Sequence, residues 1–253
     1  MIIAIANQKG GVGKTTLSVN LGAYFSHHGY KVALVDADPQ GNTTTWITPE
    51  RAFDNGLSAI LLQHRPIAKA LRPIDGEWKL ALLPGNVDTA DVLTFLAVAN
   101  KDHRTIAQAL APLDRLADIT LIDMPPSRAA GWREILLAAH WILCPTLLER
   151  PSLLGVSLMA RTCAEIAQLW GQAPRLLGIA PNQARNTLEH RQRLDELCAA
   201  FGPVVWPPIP QAIAVAEAAG HCQSLFSYAP SSPAAQALET VARRVLQNAP
   251  AGG

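Results

Sequence analysis

The chain has 253 residues, and its sequence predicts a single α/β domain with a mainly parallel central sheet and helices on both faces. Three observations carry that expectation. Short apolar strands alternate with helical stretches along the whole chain. A glycine-rich loop stands between the first strand and the first helix, and two later apolar runs each end on aspartate. The length is enough to bury a sizeable core, and a composition of 49% hydrophobic and 16% charged residues excludes a disordered chain.

Met1 to Ala6 is a continuous apolar run carrying Ile2, Ile3 and Ile5, and it reads as a buried strand. Asn7-Gln8-Lys9-Gly10-Gly11-Val12-Gly13-Lys14-Thr15-Thr16 follows, and Leu17, Leu21 and Phe25 then recur at helical spacing. Successive backbone N–H groups at a helix N-terminus bind anionic oxygens, so residues 10–16 form a phosphate cradle. Lys14 is placed to reach terminal phosphates and the Thr15 hydroxyl to hold Mg²⁺. The loop departs from the ordinary G-x-x-x-x-G-K-[ST] pattern, because Gln8 stands where the first glycine belongs. It gains a second lysine, Lys9, which cannot share the place of Lys14. A point charge on a long stem suits either another part of the nucleotide or a neighbouring subunit's nucleotide.

Lys31 to Val35 is the next strand and runs into Asp36-Ala37-Asp38-Pro39-Gln40-Gly41-Asn42. Alternation puts Asp36 and Asp38 on one side at its C-terminal end, where open α/β sheets bind ligands. Carboxylates there orient water or hold a metal's shell. Glu50 to Arg72 is read as short helices that cover the site or meet a partner. Leu80 to Leu83 is a strand ending in Pro84-Gly85-Asn86, and helical stretches follow around Ala90 to Ala99 and Arg104 to Leu110. Asp118 to Asp123 is a buried-looking strand that delivers Asp123 at its C-terminal end, ahead of Met124-Pro125-Pro126-Ser127. This fits a Walker B strand, whose carboxylate binds Mg²⁺ through water.

Trp141 to Cys144 reads as a strand ending at Pro145, and Leu176 to Ala180 as one ending at Pro181-Asn182. Helices are expected over Ser152 to Trp170, Leu188 to Ala200 and Pro233 to Gln247. Asn182 is placed either to face adenine or to serve as a turn residue. Cys144, Cys163, Cys198 and Cys222 are widely spaced with no Cys-x-x-Cys pair, and read as reduced, mostly packed thiols. His27 and His28 read as favourable charge at a helix C-terminus rather than a zinc site. No stretch of eighteen apolar residues occurs and no basic segment precedes the first apolar run, so the expected location is cytoplasmic.

Four stretches carry a resemblance: Lys9 to Thr16, Val35 to Asn42, Leu121 to Ser127 and Pro208 to Ala218. The chain resembles, over nearly its whole length, the ParA/MinD ATPases of deviant Walker A type, and is closest to the ParA side. The resemblance implies a P-loop NTPase fold over residues 1–247 with a disordered tail at 248–253, and ATP and Mg²⁺ as cofactors. It implies that Lys14 and Thr15 bind phosphate and metal, that Asp38 orients the attacking water and belongs to the metal shell, and that Asp123 is the Walker B acid. Lys9 becomes the family's extra lysine, crossing the interface of an ATP-sandwich homodimer. Pro208 to Pro210 would form one wall of the base pocket. The expected function is a switch that partitions or positions a plasmid, a chromosome or a protein assembly, holding nucleoid DNA without sequence preference and releasing it when a cognate partner protein stimulates hydrolysis.

Two departures bear on DNA. Relatives with Ile-Pro-Arg and a further arginine match Ile209-Pro210-Gln211 and Ala214 here, which removes two phosphate contacts. With a net charge of +1, the chain must gather its basic residues on one face, and Arg185, Arg191, Arg193, Arg243 and Arg244 are the candidates. The C-terminal stripe of Leu238, Val241, Ala242, Val245 and Leu246 bears on the MinD alternative, in which such a helix lies on a membrane. Only Arg243 and Arg244 stand on its polar side, so packing on the domain is the simpler reading. A P-loop ligase or kinase and an iron-protein-like reductase are the other competitors, and the second needs a cysteine pair that the spacing lacks.

Overall fold

A computed structural model describes residues 1–48, 53, 56–86, 88–90, 92, 94, 104–126, 131–150 and 152–249. Strands β1 (Ile2–Ile5), β2 (Val32–Asp36), β3 (Arg72–Ile74), β4 (Leu80–Leu83), β5 (Ile119–Asp123), β6 (Trp141–Leu147) and β7 (Arg175–Asn182) form one seven-stranded sheet in the order β3-β4-β2-β5-β1-β6-β7. All pairings are parallel except that of the edge strand β3 with β4. β1, β2 and β5 occupy the middle, which is why their residues are buried throughout and mostly apolar rather than alternating.

The sheet divides the core into two layers. Ile2, Ala4 and Ala6 face one layer with Val35 and Ile122, whereas Ile3 and Ile5 face the other with Leu34, Leu121 and Leu143. The first layer is closed by α3 (Leu57–Leu61), α5 (Thr105–Leu110), α7 (Trp132–Leu137) and α8 (Ser152–Trp170), after the short α4 (Ile67–Ala70) and with α6 (Leu113–Leu116) leading into β5. The second is closed by α1 (Lys14–His27) and by α12 (Pro233–Asn248), with α2 (Asn42–Ile47) and α11 (Leu225–Tyr228) at its margin. Because α1 lies between sheet and α12, every residue from Leu17 to Ser26 is buried. The stripe Leu238, Val241, Ala242 and Val245 of α12 is buried in that layer, not presented outward.

Several boundaries differ from the sequence reading. β6 does not end at Pro145 but continues to Leu147, paired with β7 on one side only, since β1 stops pairing at Leu143. A proline without N–H is tolerated there because the neighbouring side of the ladder is open. β7 likewise runs through Pro181 to Asn182, and α9 (Leu188–Phe201) is capped by the Thr187 hydroxyl. The antiparallel β3, the helix α7 and the helix α10 (Ile213–Gly220) are additions to the expected list. Of the tail expected at 248–253, Asn248 ends α12 and Ala249 is buried in the second layer, so these two residues belong to the fold; 250–253, most of the helix expected over 90–99, and Ser127 lie outside the described residues.

Candidate functional site

The three segments singled out by sequence meet at the C-terminal ends of adjacent strands. β1 leads into the glycine loop, and its neighbour β5 delivers Asp123 opposite Ile5 in the register; across β5, Asp36 of β2 stands level with Asp123. The loop passes into α1 through Gly13, which adopts a left-handed φ of 96° and supplies no side-chain cap. The first-turn N–H groups of α1 therefore carry no capping side chain, the condition for binding an anion there. A Cβ on Gly13 would lie 1.9 Å from Asn182 Nδ2, so a larger residue is strained by φ and must also displace the Asn182 amide.

The loop is braced from both sides. Asn7 donates from Nδ2 to the Pro145 carbonyl at 2.8 Å while its Oδ1 accepts from the Lys9 N–H at 3.0 Å. The buried Lys14 ammonium donates to the Lys9 carbonyl at 3.1 Å, which folds its side chain back over the loop. Asn182, at the end of β7, donates to the Val12 carbonyl at 2.9 Å. Neither of its two sequence readings captures this contact: the side chain is buried beside the loop and holds it. Lys9 points away from Lys14, and its ammonium meets the Glu149 carboxylate at 2.5 Å.

Three acids cluster here, and two of them, Asp123 and Asp38, act on Lys14. Asp123 Oδ2 accepts from the hydroxyls of Thr15 and Thr43, both at 2.7 Å, whereas its buried Oδ1 has no hydrogen-bond partner. Asp36 is fully engaged, taking the Thr44 N–H at 2.8 Å and hydroxyl at 2.6 Å on Oδ2 and the Asp38 N–H at 3.2 Å on Oδ1. Asp36 thus shapes the turn that carries Asp38, and Gly85 completes the enclosure: a Cβ there would come within 2.6 Å of Asp36 Cγ. Asp38 accepts the Gln40 N–H at 2.9 Å on Oδ1. Thr43, Thr44 and Asn7 are site residues that the sequence reading did not name; the threonine run after Gly41-Asn42 was the available signal.

Burial, then the neighbouring Asp123 charge, pushes Asp36 up to about 7 against its bonds from Thr44. Burial pushes Asp123 up to about 6, opposed by the Thr43 and Thr15 hydroxyls and by Lys14. Lys14 is held below its ordinary value by burial, with Asp123 and Asp38 opposing. Three buried carboxylates against one buried ammonium leave an excess of negative charge around an oxygen with no donor. That is the environment a hard divalent cation satisfies. Among the described residues no group of three or more His, Cys, Asp and Glu could by itself hold a metal ion. Mg²⁺ suits this, since it is typically held by one or two protein ligands together with phosphate oxygens and water.

The basic candidates are dispersed and partly neutralised. Arg193 pairs with Glu196 at 2.6 Å and Arg243 with Glu239 at 2.7 Å, while Arg185 donates to Gln211 at 2.6 Å and Arg191 to Asn186 at 3.0 Å. Arg244 lies beside Arg243 on α12, whereas Arg191 and Arg193 are on α9 and Arg185 precedes it. Next to Gln211, Ile213 is 80% exposed. His28 is the C-cap residue of α1; its Nδ1 meets the Tyr24 carbonyl and its ring stacks on Tyr24. Cys144 is buried, Cys163 and Cys222 are half-buried and Cys198 is exposed; all four are free thiols.

A family profile described as "AAA domain" (AAA_31) matches residues 1–173. The "Chromosome-partitioning ATPase Soj" of Thermus thermophilus is 36% identical over 248 residues, covering 96% of this chain and 94% of that protein. Among solved structures, apo McdA of Cyanothece superposes with a TM-score of 0.86 at 21% identity, covering 96% of this chain and 98% of that one, a likeness of fold alone. A cobyrinic acid a,c-diamide synthase of Mycobacterium smegmatis with bound ADP and magnesium superposes with a TM-score of 0.82 at 30% identity, covering 99% and 96%.

Proposed function

On the premise that this chain belongs to the ParA/MinD-type AAA_31 family of P-loop ATPases, we propose that it is an ATP-dependent dimerising switch that partitions or positions cargo. The observation that carries the reading is the unsatisfied Asp123 Oδ1, buried beside Thr15 in front of the uncapped end of α1. The residues fit Mg²⁺·ATP, which when bound supplies a transferable phosphoryl group together with the cation that neutralises it.

In this reading the N–H groups of Gly10 to Thr16 bind the phosphate oxygens, and Lys14 leaves the Lys9 carbonyl to meet the terminal phosphates. Thr15, Asp123 and Asp38 would hold the metal, which would supply the charge that neutralises the phosphate oxygens. Asp38, fixed by the turn from Asp36 to Gly41, also orients the attacking water. Lys9 leaves Glu149 and crosses to the nucleotide of a second copy. Asn182 contributes to the base pocket once the nucleotide is bound. The effector surface is DNA held without sequence preference through Arg185, Arg191, Arg193, Arg243 and Arg244, with hydrolysis stimulated by a partner protein in the cytoplasm. The domain comprises residues 1–247 together with Asn248, which ends α12, and the buried Ala249.

The similarity to a diamide synthase at 30% identity supports a second reading, an ATP-dependent ligase. It requires turnover that depends on an amide donor and an acid substrate, whereas the switch hydrolyses ATP alone and slowly. The membrane alternative loses its lipid-facing candidate, because the apolar face of α12 is packed on α1. Calorimetric titration with Mg²⁺·ATP and a phosphate-release assay test the switch. Lys14→Ala is expected to abolish binding, and Asp38→Ala to bind normally while hydrolysing at least tenfold more slowly. Wild-type turnover in Asp38→Ala overturns the role given to that residue.

A further inference from the structure

The end of β7 touches the glycine loop twice. Asn182 holds the Val12 carbonyl, and the next residue, Gln183, donates from Nε2 to the Gly11 carbonyl at 3.0 Å. Only the amide nitrogen of glutamine can face a carbonyl, so the side-chain orientation is set by the contact. Gln183 also has a φ of 53°, in the left-handed region that disfavours a residue with a Cβ. A non-glycine backbone held there persists when its surroundings over-determine it. Those surroundings lie on the far side of the residue. Ala184 donates to the Ile209 carbonyl at 2.9 Å and accepts from the Gln211 N–H at 3.0 Å, and Ile209 donates to Pro181 at 2.8 Å. Arg185 then binds the Gln211 side chain. Gln183 is thus the joint between the phosphate loop and residues 209–213, the segment that ends on the exposed Ile213.

We propose that Gln183 is a positioning residue: its amide sets the Gly11 carbonyl of the phosphate loop, and its backbone transmits the state of that loop to residues 209–213. A phosphate ligand draws the loop's N–H groups toward itself, which turns the peptide units that carry the Gly11 and Val12 carbonyls. Gln183 and Asn182 follow those carbonyls, and the bonds of Ala184 to Ile209 and Gln211 carry the shift onward. The inference rests on the reading that the loop binds Mg²⁺·ATP; it does not depend on what the 209–213 face meets.

The test compares wild type with Gln183→Gly and Gln183→Ala, titrated with Mg²⁺·ATP. Glycine removes the amide and relaxes the backbone, so its melting temperature should equal or exceed that of wild type while ATP affinity falls about threefold to tenfold, the effect of one lost hydrogen bond. Alanine should lose the same affinity and some stability. Hydrogen exchange at the Ile209 and Gln211 amides, read at saturating ATP, should change on nucleotide binding in wild type and not in Gln183→Gly. Wild-type affinity in Gln183→Gly overturns the positioning role, and an unaltered exchange response overturns the transmission. A wild type that binds no ATP instead removes the functional reading beneath both.

Discussion

Gly13→Ala is the substitution whose cost the structure specifies most fully. Its φ of 96° puts an alanine in the left-handed region, at a cost of about 1–2 kcal/mol. The added Cβ would also stand 1.9 Å from Asn182 Nδ2, so the Asn182 side chain must leave the Val12 carbonyl. One lost hydrogen bond adds about 0.5–1.5 kcal/mol. The combined loss is roughly 1.5–3.5 kcal/mol, which for a chain of this size lowers the melting temperature by about 3–14 °C. The two parts separate in a double-mutant cycle measured by chemical denaturation. In an Asn182→Ala background the clash is gone, and Gly13→Ala should cost only its backbone part, leaving a coupling of about 0.5–1.5 kcal/mol. ATP affinity, measured by calorimetry, should fall at least tenfold in Gly13→Ala because the loop's N–H groups no longer converge. A Gly13→Ala protein within about 0.5 kcal/mol of wild type that binds ATP normally would refute the reasoning, since neither the φ nor the Asn182 brace would then shape the loop.

Two further outcomes follow from the charges. Asp36 and Asp123 have folded-state values raised from the ordinary 3.8 to about 7 and about 6, so between those values the folded protein binds protons that the unfolded chain releases, and metal-free stability should fall as pH rises from about 4 to about 7 and then level off. Mg²⁺·ATP should flatten that slope, and melting curves showing a rise with pH in the metal-free protein would contradict it. For DNA, Arg193 and Arg243 are already paired with glutamates, so binding by the ATP-bound protein should be weak and lost at moderate salt. Reversing Arg191 and Arg193 to glutamate should weaken a gel shift further with basal ATP hydrolysis unchanged; binding that survives high salt, or prefers one sequence, would mean base contacts through other residues.

The parts of the fold legible in sequence were those in which one strand feeds one site residue. The apolar run Ile2 to Ala6 leads straight to the loop, and the runs ending on Asp36 and Asp123 occupy the centre of the sheet, where burial on both faces writes a continuous apolar signature. Pro145 and Pro181 do not end their strands because a proline interrupts pairing only where the one neighbour that its missing N–H would face needs it. β3 is three residues long and contains Pro73, too little pattern for a period of two to register. Contacts between distant segments had no local signature at all. Lys9 was legible as an unusual charge, but its partner Glu149 lies 140 positions away, and Asn182 reaches Val12 across 170. The role of Asp36 shows the same limit: alternation put it beside Asp38, whereas the bonds from Thr44 and the Asp38 N–H make it the frame of that turn.

Sedimentation velocity of wild type and Lys9→Ala, each with and without Mg²⁺·ATP, tests the switch most directly. The ion pair of Lys9 with Glu149 is solvent-exposed and contributes little, about 0–1 kcal/mol, so it does not prevent the lysine from crossing to a second copy. Wild type should sediment as a monomer without nucleotide and as a dimer with ATP, whereas Lys9→Ala, shown by calorimetry to bind ATP, should remain monomeric. A wild type that stays monomeric at saturating ATP, or a Lys9→Ala protein that dimerises as well as wild type, would contradict the assignment of Lys9 to the opposite site.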